Sequence, residues 1–158
     1  SSEGQTAVFI NNADWGHTTV GDNKLSAGNT VVNILAVDLP AHGHSDGDLI
    51  PSIEGMADWV IKAMDAAGQE QSIIVGHSMG SLVAFDVAAR YPDRITALAM
   101  VGTALPMPVG EVLLNSAKED SPLAKDMINF WSHSQAGHLG GSQVPGTWMI
   151  GKLNSILN

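Results

Sequence analysis

The 158-residue sequence contains no cysteine. This absence excludes a disulfide framework, a cysteine-ligated zinc or iron–sulfur site, and a thiol nucleophile. Any covalent catalysis in this chain must therefore use another side chain. No two histidines have the close spacing on a helix that indicates a zinc site, and we expect neither a metal nor another cofactor.

Basic residues are also few, with 7 Lys and Arg against 16 Asp and Glu and a formal net charge of −9. Such a surface repels phosphate backbones and anionic lipids, which argues against nucleic-acid and membrane partners. Long hydrophobic runs are missing, and no Lys or Arg precedes Lys24, so no signal peptide is visible. We expect a cytoplasmic protein of about one domain, and the start at Ser1 is typical of a processed product or a fragment.

Short apolar runs alternate with segments of helical periodicity, a pattern typical of βαβ units on a parallel sheet. Strands are predicted at residues 7–10, 31–37, 72–75 and 95–101. A first helix, with Ser52 as N-cap and Gly68 just past its end, is predicted between the second and third strands. Its buried face would carry Ile53, Met56, Ala57, Val60, Ile61 and Met64.

The alternation stops after Gly102, where residues 103–158 become rich in proline and glycine. Helix-like pieces lie near residues 109–118 and 122–131. Such a segment covers a sheet more readily than it joins one. The sequence therefore predicts a core at residues 1–102 and a covering segment at residues 103–158.

One pentapeptide, Gly76 to Gly80, reads G-H-S-M-G and matches the G-x-S-x-G pattern of a nucleophilic serine. An apolar strand ends at Val75 and an alanine-rich helix begins at Ser78, which is the strand–turn–helix context that the pattern needs. A sharp turn there would hold the hydroxyl exposed beside the positive end of the helix. The alternative is an ordinary turn in which Ser78 caps the helix.

Two stretches resemble the α/β-hydrolase superfamily. Residues 73–80 read I-I-V-G-H-S-M-G and residues 37–45 read V-D-L-P-A-H-G-H-S, similar to the family forms strand-G-H-S-M-G-helix and D-x-P-G-x-G-x-S. Ala41 stands where the family has a glycine, whereas Gly43 is retained. The resemblance implies a three-layer α/β fold: a short, mostly parallel sheet with helices on both faces, and a cap or lid formed by residues 103–158.

The resemblance also implies roles for individual residues. Ser78 becomes the nucleophile, and the backbone N–H groups of Met79 and Ala13 become the oxyanion hole. Asn12 stands where the family has a glycine, and asparagine tolerates left-handed backbone angles well. The substrate pocket would include Asn12, His77 and Trp131.

The acid and the base of a catalytic triad are not identified. In the family they follow the serine in the order acid, then histidine, on two strands beyond the cap, and no such strand is visible here. His133 and His138 satisfy the chain order, with Asp120 and Asp126 before them, but both histidines lie in the segment that resembles the cap. The chain therefore resembles a truncated member of the family.

Two functions remain open. The first is a serine hydrolase acting on small carboxylic esters or related acyl substrates through an acyl-enzyme on Ser78. The second is a catalytically incomplete hydrolase-fold fragment, or a binding protein, that lacks the acid and base. The strained serine favours the first and the chain length favours the second. A sheet without its outer strands also leaves edges open to pairing with another chain.

Overall fold

The computed structural model describes residues 5–11, 24–27 and 30–131, and the chain divides into two compact units, Ser1–Leu105 and Pro106–Asn158. The first unit contains a five-stranded sheet of order β2-β3-β1-β4-β5. Its strands are β1 (Thr6–Asn11), β2 (Lys24–Ala27), β3 (Thr30–Asp38), β4 (Ser72–His77) and β5 (Ile95–Val101). All neighbouring strands are parallel except β2, which pairs antiparallel with β3.

The four predicted strands are confirmed, whereas β2 was missed. Its sequence, K-L-S-A, alternates polar and apolar residues, but four residues are too few for this alternation to indicate a strand. The strand pairs with β3 from Lys24 opposite Asn33 to Ala27 opposite Thr30. In the sequence, Gly28-Asn29 stands between the paired residues Ala27 and Thr30 and is a dipeptide typical of two-residue hairpin loops. This dipeptide is the sequence signal that could have indicated β2.

Four α-helices are present in the described residues: α1 (Ile53–Ala66), α2 (Met79–Arg90), α3 (Glu111–Lys118) and α4 (Pro122–Trp131). The predicted caps of α1 are confirmed. The Ser52 hydroxyl accepts a hydrogen bond from Gly55 N at 3.1 Å, and Gly68 follows the helix with a φ of 68°.

The core of the first unit lies between one face of the sheet and the helices α1 and α2, which contact each other. The predicted buried face of α1 is confirmed, with Ile53 partly buried beside it. The sheet and α2 supply the rest of the core through Val8, Ile10, Leu35, Val37, Leu39, Ile74, Val83, Ala84 and Val87. Burial of these side chains is the main force that holds α2 against the strands.

Strand β5 is the last strand of the described sheet on its side and pairs there with β4. Its apolar side chains are largely exposed, including Leu98 at 37% and Val101 at 52%. An exposed apolar edge of this kind is a surface on which another strand can pair. The pairing of this edge with another chain stays a prediction.

The second unit contains α3 and α4, which pack against each other and confirm the two predicted helix-like pieces. The turn between them is closed by a hydrogen bond from Ser121 N to Ser116 O at 2.9 Å. The role of residues 103–158 as a cap stays a prediction. Within the described part of the chain, no helix is both long enough and apolar enough to cross a membrane.

A polar cluster links α1 to the end of α2. Asp58 accepts a hydrogen bond from the Tyr91 hydroxyl at 2.6 Å and forms an ion pair with Arg90, also at 2.6 Å. Arg90 reaches Asp86 at 2.7 Å and donates to the carbonyl of Glu54 at 2.7 Å. The Tyr91 hydrogen bond and the Arg90 guanidinium lower the pKa of Asp58, and the same Asp58 carboxylate raises the pKa of Tyr91.

The loop after β3 surrounds a buried carboxylate. Asp38 accepts a hydrogen bond from His44 N at 3.2 Å, and its backbone oxygen accepts one from the Ser45 hydroxyl at 2.8 Å. Ala41, in the same loop, has a φ of 60°. This angle explains why the related motif carries glycine here, because a side chain disfavours left-handed backbone.

We expect Asp58→Asn to lower the melting temperature near neutral pH by about 1–3 °C, because the ion pair with Arg90 is lost. The decrease is small because water screens an exposed ion pair. The folded-state pKa of Asp58 lies below its ordinary value of 3.8. The contribution of the Asp58 carboxylate to the free energy of unfolding is therefore fully present above pH 3.8, and it is lost as the pH falls through the folded-state pKa. The melting temperatures of the variant and the unsubstituted chain should converge once the pH falls below the folded-state pKa of Asp58. The exposed-loop variant Asp48→Asn is the control, and a gap that persists in acid would contradict this origin.

We expect Ala41→Gly to raise the free energy of unfolding by up to about 1 kcal/mol, because relief of the left-handed strain exceeds the added chain entropy of glycine. The matched control is Ala63→Gly inside α1, which should cost about 1 kcal/mol. Urea denaturation measures both changes. Destabilisation by Ala41→Gly would show that the loop is not strained at this residue.

Candidate active site

The candidate site lies at the carboxyl ends of the parallel strands, at the point where the strand order reverses. From β1 the chain goes to β3 on one side, and then to β4 and β5 on the other. A crevice forms at such a reversal, outside the ends of the two central strands. Ile10 of β1 pairs with Gly76 of β4, so the carboxyl ends of these two strands lie side by side.

Ser78 stands at this edge in an uncommon backbone conformation, with φ 52° and ψ −123°. Its N–H donates to the Val101 carbonyl at 2.9 Å, and its carbonyl accepts from Ser81 N at 2.9 Å. The side chain is half-buried and makes no capping hydrogen bond to α2. The alternative of an ordinary capping serine is therefore wrong.

Two glycines allow the turn at Ser78 to form. A Cβ at Gly76 would collide with the carbonyl oxygen of Gly80, and a Cβ at Gly80 would lie 2.6 Å from the carbonyl oxygen of Ile10. The end of β4, the start of α2 and strand β1 thus approach more closely than any side chain permits. The spacing G-x-S-x-G follows directly from this close contact.

Met79 is the first residue of α2, and its side chain is partly buried against the core. The N–H groups of a first helical turn have no acceptor within their own helix. The 12-residue helix also places its positive end beside Ser78. The role of the Met79 N–H as a hydrogen-bond donor to an oxyanion stays a prediction.

His77 is the last residue of β4 and has an exposed side chain. Its ring is next to Gly102, where a Cβ would lie 3.1 Å from His77 Nε2. The imidazole thus lies at the same edge of the sheet as Ser78, and its place in a substrate pocket stays a prediction. His42, in contrast, makes a hydrogen bond through Nδ1 to the carbonyl of Pro40 at 2.9 Å, within its own loop.

Several predicted site residues lie outside the described residues, namely Asn12, Ala13, His133 and His138. Trp131 is the last residue of α4 in the second unit and is 61% exposed. Its place in a substrate pocket stays a prediction. Within the described part of the chain, no group of three or more His, Asp or Glu side chains is arranged to hold a metal ion.

Sequence comparison identifies a family and several relatives. The sequence profile of the alpha/beta hydrolase fold matches residues 22–139, more than half of the chain. A dihydrolipoyllysine-residue acetyltransferase component of the acetoin cleaving system of Cupriavidus necator is 41% identical over 69 residues, which are 43% of this chain and 18% of that protein. A pimeloyl-(acyl-carrier protein) methyl ester esterase of Shewanella woodyi is 31% identical over 101 residues, covering 64% of this chain and 37% of that protein.

Comparison of structures gives the same fold. The enol-lactonase of Burkholderia xenovorans matches with a TM-score of 0.72 at 21% identity, over 98% of this chain and 59% of that chain. A thermophilic esterase matches with a TM-score of 0.62 at 23% identity, over 98% of this chain and 57% of that chain. The chain thus spans less than two thirds of these proteins. The predicted α/β-hydrolase class with a mostly parallel sheet is confirmed, and the described α-helices of the first unit, α1 and α2, share one face of that sheet. On its sequence and its fold, the chain belongs to the alpha/beta hydrolase family.

Proposed function

We propose that this protein is a serine hydrolase that cleaves small carboxylic esters or related acyl substrates through an acyl-enzyme on Ser78. The observation that carries the proposal is the backbone of Ser78, which combines a φ of 52° with the lack of a capping bond. Backbone strain of this kind costs about 1–3 kcal/mol and is concentrated at functional sites. A serine that only began a helix would not need it.

Each step of the reaction has a candidate group. The Ser78 oxygen adds to the ester carbonyl carbon, and its proton passes to a base. The carbonyl oxygen becomes an oxyanion, which accepts hydrogen bonds from the N–H groups of Met79 and Ala13. The carbon–oxygen bond to the alcohol then breaks, the alcohol leaves with a proton, and water hydrolyses the acyl-Ser78 ester to release the acid.

The base in this proposal is a histidine oriented by a carboxylate, as in other serine hydrolases. His133 and His138 are the candidates within the sequence because they follow Ser78 in the required order. Asp120, at the turn before α4, and Asp126, within α4, precede both histidines and have exposed side chains. Whichever histidine acts as the base would have to bring its imidazole to the Ser78 hydroxyl.

The choice of an ester substrate is supported by similarity to the Shewanella woodyi esterase, whose name states methyl ester cleavage. A serine nucleophile forms an ester with the acyl group, so acyl compounds are the substrates that suit it. The proposed partner is a small molecule. A net charge of −9 disfavours nucleic acid and anionic membranes, and cytoplasmic location stays a prediction.

We expect Ser78→Ala to abolish covalent labelling by a fluorophosphonate probe and to reduce hydrolysis of an activated aryl ester at least about a thousandfold, since the attacking oxygen is lost. Peptide mapping by mass spectrometry should locate the label on Ser78. The control is Ser52→Ala, which removes another serine hydroxyl, should cost about 1 kcal/mol of stability through the lost cap, and should leave labelling unchanged.

A folded chain that the probe does not label at Ser78 would contradict a serine hydrolase. Labelling at Ser78 without sustained ester turnover would instead support the catalytically incomplete alternative, in which the nucleophile is held ready but the acid and base are not in place. Circular dichroism establishes that each sample is folded.

We expect Gly80→Ala to lower stability by about 1–3 kcal/mol and to slow labelling of Ser78, because the added Cβ would push α2 away from Ile10. The matched control is Gly110→Ala, since a Cβ there has no heavy atom within 4 Å. Denaturant unfolding and the rate of fluorophosphonate labelling measure the two effects. Normal labelling of the Gly80→Ala variant would show that this close contact does not position Ser78.

A further inference from the structure

We infer that Ser81 is a positioning residue for the nucleophile, and that its hydroxyl holds the strained backbone of Ser78 in place. The inference rests on the proposed function, in which Ser78 is the nucleophile. Ser81 lies one position beyond the G-x-S-x-G pattern, and no sequence pattern predicts a role for it.

The Ser81 side chain is fully buried and lies among backbone groups from two strands. Its hydroxyl is 2.6 Å from the carbonyl oxygen of Gly76, near the end of β4. It is also 3.1 Å from the carbonyl oxygen of Val101, the last residue of β5, and accepts a hydrogen bond from Val101 N at 3.2 Å. One hydroxyl thus links the first turn of α2 to the ends of both strands.

A hydroxyl carries a single hydrogen, so it donates to one carbonyl at a time. The shorter distance assigns this hydrogen to Gly76, while the oxygen accepts from Val101 N. The hydroxyl is then satisfied as both donor and acceptor at a place without solvent. Leaving such buried partners unpaired is unfavourable, which makes this arrangement stiff.

The same two segments hold Ser78. The Val101 carbonyl accepts the hydrogen bond from Ser78 N, and Ser81 N donates to the Ser78 carbonyl, each at 2.9 Å. Ser81 therefore binds Ser78 directly through its own backbone and indirectly through Val101. A strained residue keeps its conformation only where its surroundings determine it more than once, and Ser81 provides that second constraint.

The available space explains why a small side chain is needed. A Cβ on Gly76 would lie 2.6 Å from the Ser81 Cα, so the helix and the strand are in close contact at this point. Alanine would fit but would leave the Val101 N–H and the Gly76 carbonyl without the hydroxyl. Cysteine would fill a similar volume, with a thiol that is a weak donor and a weak acceptor.

The test compares Ser81→Ala and Ser81→Cys with Ser72→Ala as the control. Ser72 is a second buried serine, at the opposite end of β4, and its hydroxyl has no hydrogen-bond partner in the described residues. Amide hydrogen exchange at Ser78, followed by NMR, reports how firmly its backbone is held. The second-order rate of Ser78 labelling by a fluorophosphonate, measured well below the melting temperature, reports its reactivity in the folded protein.

We expect exchange of the Ser78 amide to be about tenfold faster or more in both Ser81 variants, and labelling to be slower by a similar factor. Ser72→Ala should change neither rate, because its hydroxyl is far along β4 from the turn. A purely structural role would lower the melting temperature while leaving the labelling rate of the folded protein unchanged. Should Ser81→Ala lose its fold, Ser81→Cys still tests the hydroxyl because it preserves the volume.

Unchanged exchange and unchanged labelling in a folded Ser81 variant would overturn the inference. Loss of exchange protection in the Ser81 variants, together with failure of the probe to label the unsubstituted chain, would support the positioning role of Ser81 and reject the proposed hydrolase function. The experiments can therefore reject the positioning role of Ser81 and the proposed hydrolase function independently of each other.

Discussion

The strained backbone of Ser78 is the feature on which the rest of the site depends. Its φ of 52° is held because β4, α2 and β1 approach within distances that exclude a Cβ at Gly76 and Gly80. Strand β5 supplies the carbonyl that receives the Ser78 N–H. Without these contacts the turn would relax, and the serine would become an ordinary helix cap.

The sheet and the core make this close contact possible. The strand order reverses at β1, which is where ligands bind in open α/β sheets, and the hydrophobic core holds α2 against the same strands. Arg90, at the far end of α2, is tied to Asp58 of α1. One end of the helix is thus anchored by charge and hydrogen bonds, while its positive end lies beside Ser78.

Much of this arrangement was predictable because it depends on local patterns. Apolar runs of strand length indicated β1, β3, β4 and β5, and the spacing of apolar residues indicated α1. Strand β2 was not predicted because its four residues are too few for a periodic signal, and they gain their structure by pairing with β3. The role of Ser81 was not predicted because its hydroxyl makes hydrogen bonds to Gly76, five residues away, and to Val101, twenty residues away.

The sequence by itself determined the α/β class, the absence of a thiol nucleophile, and the placing of Ser78 between two glycines at a strand–helix junction. These follow from residue type and short-range spacing, which act through sterics and hydrophobic periodicity. Only the tertiary structure decided that Ser78 is strained rather than capping, and that the end of β5 holds it there. Those facts depend on which carbonyl faces which N–H, and strand register sets that pairing between residues far apart in the chain.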